Sequence, residues 1–344
     1  MDFFSHQDQA RRKTGLLVLL MLLAVLSLIA ITVAAVVITL AFFDGRLPPG
    51  VSLDQRLAYA WSLLDLRLGG ATALGVLGLV ALGSLYKHIQ LRAGGRAVAQ
   101  SLGARRIDAD DPALSADERQ VLNVVHEMAI AAGAPTPEVY VMEDKAINAF
   151  AAGHTPQDAV IGISRGAIAE LDREALQGVI AHEFSHIMHG DMRMNLRLVA
   201  ALHGILLIGL AGYYLMRVAP LRRRTSSKDN SALIMLVIAL VLIFVGFAGT
   251  FFGNMIKAAI SRQREYLADA SAVQYTRNPN GITKALKRIG ASADGSRLAA
   301  THAPDFSHMF FGEAVGSSLT SLMSTHPPLE ARIRRLEPDW DGSF

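Results

Sequence analysis

The sequence predicts a mostly α membrane protein, in which a polar α+β domain with a small antiparallel sheet is attached to about four transmembrane or membrane-embedded helices. Three observations predict it. Of 344 residues, 51% are hydrophobic and 18% charged, with a mean hydropathy of +0.33, which is not the balance of an ordinary soluble domain. The excess lies in four charge-free stretches, Leu16–Phe43, Leu68–Tyr86, Leu198–Met216 and Ala232–Ile256, each about long enough to cross a hydrocarbon core of ~30 Å. The roughly 250 remaining residues mix helical and strand periodicities and suffice for one compact domain. The absence of cysteine excludes disulfides, thiolate metal sites, iron–sulfur clusters and a cysteine nucleophile. Any metal must therefore rest on His, Asp or Glu. A formal charge of +3, with the basic residues gathered beside the apolar stretches, speaks against nucleic acid as a partner. The partner the composition does demand is the lipid bilayer.

In chain order, residues 1–92 read as an N-terminal hairpin with spans at about 16–43 and 68–86. The first span follows Arg11, Arg12 and Lys13; it is too long for the apolar region of a signal peptide and reads as a retained anchor. Lys87, Arg92, Arg96, Arg105 and Arg106 follow the second span, so the positive-inside bias puts both flanks in the cytoplasm and Asp44–Arg67 outside. Residues 93–114, rich in Gly, Arg and Asp, read as a linker. Residues 115–197 open the polar domain. Ser115 with Glu118 is a capping box, and Val121, Leu122, Val125, Met128 and Ala129 keep helical spacing up to Gly133.

Past Pro135 and Pro137, the runs Glu138–Met142, Ile147–Ala152 and Ala159–Ser164 are β-rich and parted by turn residues, which suits short antiparallel strands. Asp172 then caps a helix over Arg173–His189 with a broad apolar face, stopped by Gly190. Residues 198–256 read as a second hairpin whose loop, Arg217–Ser231, holds Arg222, Arg223, Arg224 and Lys228. That run resists translocation. Whether the hairpin crosses against the bias or is only embedded, the chain returns to the side it left. Residues 257–344 complete the polar domain there.

Within the capped helix the chain reads His182-Glu183-Phe184-Ser185-His186. Residues four apart share one helical face, so both imidazoles can reach one tetrahedral zinc, with Glu183 beside them to take a proton from water. The bland reading is a solvated face that carries two histidines. A second segment on the same side of the membrane weighs against it: Ser261-Arg262-Gln263-Arg264-Glu265-Tyr266-Leu267-Ala268-Asp269 offers two carboxylates one turn apart. Glu265 can complete a His₂Glu site that leaves the fourth position open. Asp269 can accept the outer N–H of His182 and fix its tautomer. Zinc follows from the ligand types, and other divalent ions fit the same set.

These segments, with His186-Ile187-Met188-His189-Gly190-Asp191 and the later Thr325-His326-Pro327-Pro328, resemble the HtpX family of membrane zinc endopeptidases, which belong with the CAAX prenyl endopeptidases among the gluzincins. The resemblance covers about Ser115 to Leu336 and the hairpins. It implies a multi-pass protease of the bacterial cytoplasmic (inner) membrane, its site facing the cytoplasm, acting in quality control on unfolded, misfolded or damaged membrane proteins. It implies one Zn2+ ion on His182, His186 and Glu265, Glu183 as general base, and Asp269 and Asp191 behind the ligands. Asn148, Ala149, Phe150 and Ala151 match an Asn-Ala-Phe-Ala element in which an edge strand pairs with the substrate backbone; a core strand is the plainer reading. His326 is similar to a histidine that hydrogen-bonds the developing oxyanion, with a turn-capping His before two prolines standing beside it. Arg332 is open between a substrate clamp and an ion-pairing residue on an exposed face.

Other histidines invite less. His189 follows His182 by two turns, but the protein's share of the ligand shell is already filled. His203 lies in an apolar span and reads as a neutral histidine facing the bundle interior. His302 and His308 read as structural or solvent-exposed. Gly295–Ser321, with Met309, Phe310, Phe311 and Gly312, is expected as a flap or plug over the cleft. The competing functions are a CAAX-type processing endopeptidase, which needs more spans, and a catalytically silent metal-stabilised scaffold, against which the intact Glu183 and ligand set argue. An intramembrane protease is set aside because Arg173–Asp191 is amphipathic and polar-flanked. Oligomeric state has no signal in the sequence.

Overall fold

A computed structural model describes residues 3–43, 47–48, 50–92, 94–218, 231–292, 295–299, 309–312 and 324–344. The expectations for His302, His308, the basic run Arg222–Lys228 and most of Gly295–Ser321 fall outside them. The elements are α1 (Phe3–Phe43), α2 (Leu53–Leu63), α3 (Leu66–Gln90), α4 (Gly95–Ser101), β1 (Arg105–Ile107), α5 (Ala116–Ala132), β2 (Glu138–Met142) and β3 (Ala149–Ala152). There follow β4 (Val160–Ser164), α6 (Arg165–Glu170), α7 (Arg173–His189), α8 (Asp191–Val218), α9 (Ser231–Thr276), α10 (Pro279–Ala291) and α11 (Leu329–Leu336). The chain divides into two compact units: Met1–Leu16, His88–Val199 and Lys257–Phe344 form one, and Leu17–Lys87 with Ala200–Ile256 form the other.

Among the described residues, four helical segments are long and apolar enough to cross a membrane: Leu19–Phe43, Arg67–Gln90, Asp191–Val218 and Ala232–Thr276. The last two outrun the apolar stretches seen in sequence, because a helix continues through polar residues as long as none of them breaks it. Within the apolar unit, glycines let backbones approach. A Cβ on Gly246 would lie 2.1 Å from the Gly209 nitrogen, and one on Gly204 would lie 2.3 Å from the Val80 carbonyl oxygen. Small residues at helix crossings are the packing device available in lipid, where no hydrophobic force distinguishes helix from solvent.

The polar unit is organised by a four-stranded sheet of order β1-β2-β4-β3. β1 pairs antiparallel with β2, and β3 antiparallel with β4, but β2 and β4 run parallel. The sheet is therefore mixed, where an antiparallel one was expected. β2 and β3 each pair with β4 and not with each other, so the strands do not follow one another as successive hairpins. Alternate residues then serve two cores. Val139, Val141, Ala149, Ala151, Ile161 and Ile163 join one cluster with residues of α5, α7 and α10. Tyr140, Met142, Phe150, Ala152 and Val160 join the other, with Val98, Ala99 and Leu102. Those last three belong to the stretch expected as a linker. It carries α4 and β1 instead, because its few apolar residues fall where they can cover the second face of the sheet.

Local chemistry fixes the helices that matter. The Ser115 Oγ accepts the Glu118 N–H at 3.2 Å and the Glu118 carboxylate accepts the Ser115 N–H at 3.0 Å, completing the capping box. That N–H, then Arg165 and Arg105, hold the Glu118 carboxyl down to about 2 against the opposing effect of burial. At the start of α7, Asp172 Oδ1 accepts the Ala175 N–H at 2.8 Å. At its end, Gly190 takes a left-handed φ of 72°, which a Cβ would strain. Midway along, a Cβ on Gly178 would lie 2.4 Å from the Ile282 nitrogen, so α7 lies close against α10.

Candidate metal centre

The second half of α7 carries the motif on a buried face. His182 and Glu183 are fully buried, and the side chain of His186 is 13% exposed. The two imidazoles aim the same atom at each other, with Nε2 to Nε2 at 3.2 Å. Their other nitrogens are committed: His182 Nδ1 lies 2.9 Å from Asp269 Oδ1, and His186 Nδ1 lies 2.9 Å from Asp191 Oδ2. With each Nδ1 set against a carboxylate, His186 by a hydrogen bond and His182 by an ion-pair contact, both Nε2 atoms are left to face each other as ligand atoms. Two lone pairs face to face repel unless a cation lies between them.

Glu265, on α9, supplies the third side. Its Oε1 is 3.6 Å from His186 Nε2 and its Oε2 is 3.7 Å from His182 Nε2. One ligand atom from each of the three residues lies within 4.8 Å of the others. A tetrahedral ion with bonds of about 2.0–2.2 Å would space its ligand atoms by roughly 3.3–3.6 Å, so the triad fits zinc in spacing as well as in donor type. Neither carboxylate oxygen of Glu183 has a hydrogen-bond partner among the described residues. Burial pushes its carboxyl up to about 8; the His186 and Arg332 charges pull it down, and Glu265 adds to the rise. Burial lowers the His182 pKa. For His186 burial acts in the same sense but is outweighed by the hydrogen bond and charge of Asp191, raising it to about 9.

His326 and Arg332 approach from the C-terminal segment. His326 Nδ1 is 3.0 Å from Glu265 Oε2, with the residue almost wholly buried, so the fold brings it to the His182–His186–Glu265 cluster. Arg332 is not on an exposed face. It is completely buried, and donates to both oxygens of Asp269 at 2.9 and 2.6 Å and to the Phe311 carbonyl at 2.9 Å. Its Nη1 also lies 3.2 Å from Glu265 Oε2. Its burial follows from two carboxylates that need a counterion out of reach of water.

Residues 148–151 are split in role. β3 ends the sheet, and the Ala149 carbonyl, on the side away from β4, accepts the Phe311 N–H at 2.7 Å. The Asn148 side chain is buried; its Nδ2 donates to Ser296 O at 2.6 Å, and its Oδ1 accepts the Gly312 N–H at 3.1 Å. His189 stays out of the triad, with Nδ1 2.8 Å from the Ser185 carbonyl, and His203 stacks on Tyr86. Two residues of the centre were not singled out as site residues from sequence. Arg264 pairs with Asp191, and Phe311 sets its ring edge-on to His182 at 5.0 Å. Arg264 does adjoin Glu265, but nothing local names its partner; Phe311 lay in a stretch read only as a flap.

A centre whose two imidazoles and carboxylate could hold a divalent ion beside a second buried carboxylate is the arrangement expected of a metal-dependent peptidase. Comparison with known proteins narrows the class: the profile of Peptidase family M48 matches residues 115–339, and the chain belongs to that family. The Protease HtpX homolog of Streptococcus uberis is 36% identical over 267 residues, covering 76% of this chain and 85% of the relative. That of Dictyoglomus thermophilum is 40% identical over 216 residues, covering 63% and 68%. Among solved structures, the crystal structure of S. mikatae Ste24p aligns over 87% of this chain and 60% of its own, at 16% identity and a TM-score of 0.42. With its apolar helices, the chain is a membrane metalloprotease.

Proposed function

We propose that this chain is a zinc endopeptidase of the bacterial cytoplasmic membrane, multi-pass and with its site facing the cytoplasm, that hydrolyses peptide bonds of misfolded or damaged membrane proteins. Residues 115–197 and 257–344 form the catalytic domain in this reading, and 198–256 is a membrane hairpin set into it. The observation that carries the proposal is the pair of Nε2 atoms 3.2 Å apart, their Nδ1 partners fixed, beside the unpartnered Glu183. One ion would be held by His182, His186 and Glu265, with Asp269 and Asp191 orienting the two imidazoles. When bound, zinc supplies Lewis acidity, acidifying a water and polarising the scissile carbonyl.

The chain's own residues do the rest. Glu183 receives the proton as water attacks and passes it to the leaving amine, a task for which a carboxyl raised toward neutrality by burial is suited. His326 hydrogen-bonds the developing oxyanion. The outer edge of β3, the end strand of the sheet, takes the substrate backbone by strand addition, which asks little of substrate sequence and suits a protease of damaged proteins. The cytoplasmic placement is supported by the basic residues that flank the first two spans.

The test is casein cleavage by the detergent-purified chain, stripped with chelator and restored with zinc. Glu183→Gln is expected to keep zinc and fold while losing cleavage by about 10²–10⁴-fold. Undiminished turnover in that variant would sink the assignment. Stoichiometric zinc with no cleavage by either form would favour a metal-stabilised scaffold.

A further inference from the structure

We infer that α2, the helix linking α1 to α3, lies along the bilayer surface as an interfacial helix, with Leu53, Leu57, Trp61 and Leu64 set among the lipid headgroups and the first acyl carbons. This rests on α1 and α3 crossing the membrane, and not on the metal centre.

α2 is built to hold a fixed attitude. At its start Ser52 Oγ accepts the Gln55 N–H at 3.4 Å and Gln55 Oε1 accepts the Ser52 N–H at 3.2 Å, a capping box. Just past its end, Asp65 Oδ1 accepts the Leu68 N–H at 2.6 Å and so caps α3. The helix is also tied sideways to α1. Arg56 Nη1 donates to the Phe42 carbonyl at 3.2 Å, with the guanidinium carbon 5.3 Å from the Phe42 ring centroid. That carbonyl lies in the last turn of α1, where a helix leaves its own acceptors unpaired. Ala60 is buried in a cluster with Val37 and Ala41 of α1.

At about 100° per residue, positions four apart form stripes along a helix. Leu53, Leu57 and Trp61 make one stripe, and they are 60, 46 and 77% exposed; Leu64, 44% exposed, continues the apolar surface past the helix end. Asp54, Ala58 and Ser62 make the neighbouring stripe, and all three are exposed. Arg56 and Ala60 belong to the side that meets α1. The surface that α1 leaves uncovered is thus divided lengthwise, apolar beside polar, which is the division that a boundary between hydrocarbon and water imposes on a helix lying in its plane.

The neighbours of the apolar stripe say what covers it. α2 packs on Val37 and Ala41, and Ile38, between them in the chain, is 44% exposed within an apolar span. Lipid therefore reaches α1 at the level on which α2 is packed. Only Leu64 and Asp65 separate α2 from α3, so the chain cannot carry α2 far from the membrane surface. The stripe holds no charge for a polar partner to pair with, and it carries a tryptophan, a side chain enriched where headgroups meet acyl chains. The first hairpin thereby gains an anchor parallel to the membrane, at the end of α3 remote from Lys87–Gln90.

The chain contains two tryptophans, so the difference between the fluorescence of the wild type and that of Trp61→Phe is the emission of Trp61. The experiment places both full-length proteins in nanodiscs of phosphatidylcholine, either plain or brominated near the glycerol or near the chain ends, and adds iodide as a quencher from water. Trp61 is expected to lose severalfold more emission to the shallow bromines than to the deep ones, and to be severalfold less sensitive to iodide than tryptophan in solution. Leu57→Asp, on the apolar stripe, should raise the iodide sensitivity severalfold, whereas Ala58→Asp, on the polar stripe, should leave it unchanged. Quenching by iodide and not by lipid would mean that the stripe faces water. Stronger quenching by the deep bromines would mean that α2 is sunk in the hydrocarbon, and shielding from both quenchers that a second copy or another protein covers it. Each of these results overturns the inference, as do equal effects of the two substitutions. None of the readouts depends on cleavage, so the proposed function stands or falls separately.

Discussion

The two imidazoles sit one turn apart on the same helix and stand in different surroundings. His182 is closed in: completely buried, backed by Asp269, which is itself held by the buried Arg332, and faced by Phe311. His186 has the same kind of support, Asp191 held by Arg264, but its side chain is 13% exposed and that of Arg264 is 12% exposed. The geometry repeats while the dielectric differs. Charges that water cannot reach interact strongly and are costly to leave unpaired, whereas charges at a rim are partly screened. The closed side therefore anchors the centre, and the rim is where water can reach it.

The variant that should separate the two sides most is Arg332→Leu. It strands two buried carboxylates, and loss of one partner from a buried ionic group costs about 3–5 kcal/mol. Thermal unfolding in detergent should show a large drop, and a near-normal melting temperature would break the comparison. Next comes Asp269→Asn, which keeps shape and removes charge. Zinc affinity measured against a chromogenic chelator should fall toward the upper end of the ~10–100-fold range typical of groups that orient a ligand. Asp191→Asn should fall at the lower end of that range, because water can replace part of what it supplies; equal losses in the two variants would mean that burial makes no difference here. The smallest effect is expected for Arg264→Met, about 1 kcal/mol in the same melts.

Much of the closed side was illegible in the sequence, and the reason is physical. Asp172, Gly190 and the four-residue spacing of His182 and His186 act within a turn or two of chain, so their consequences can be read where they stand. The pairing of Asp269 with His182 followed from the need of a ligating imidazole for an outer acceptor. The burial of Arg332 has no such local signature. An arginine in a charged helix such as Leu329–Leu336 is usually solvated, and only the fold brings this one against Asp269 and Glu265. The sheet shows the same division. Strand periodicity located β2, β3 and β4, but their order depends on contacts far apart in the chain, and Gly162 gives no local sign that it leaves room for the Phe150 ring. The apolar residues of α4 were masked likewise by the Gly and Arg around them.

The pairing of arginines with aspartates behind the histidines has a consequence for which ions can reside here. Glu265, Asp269 and Asp191 bring three formal negative charges to the centre, and Arg332 and Arg264 bring two positive ones. The arginines leave the surroundings of the two imidazoles net negative, which favours a cation there before coordination geometry selects the element.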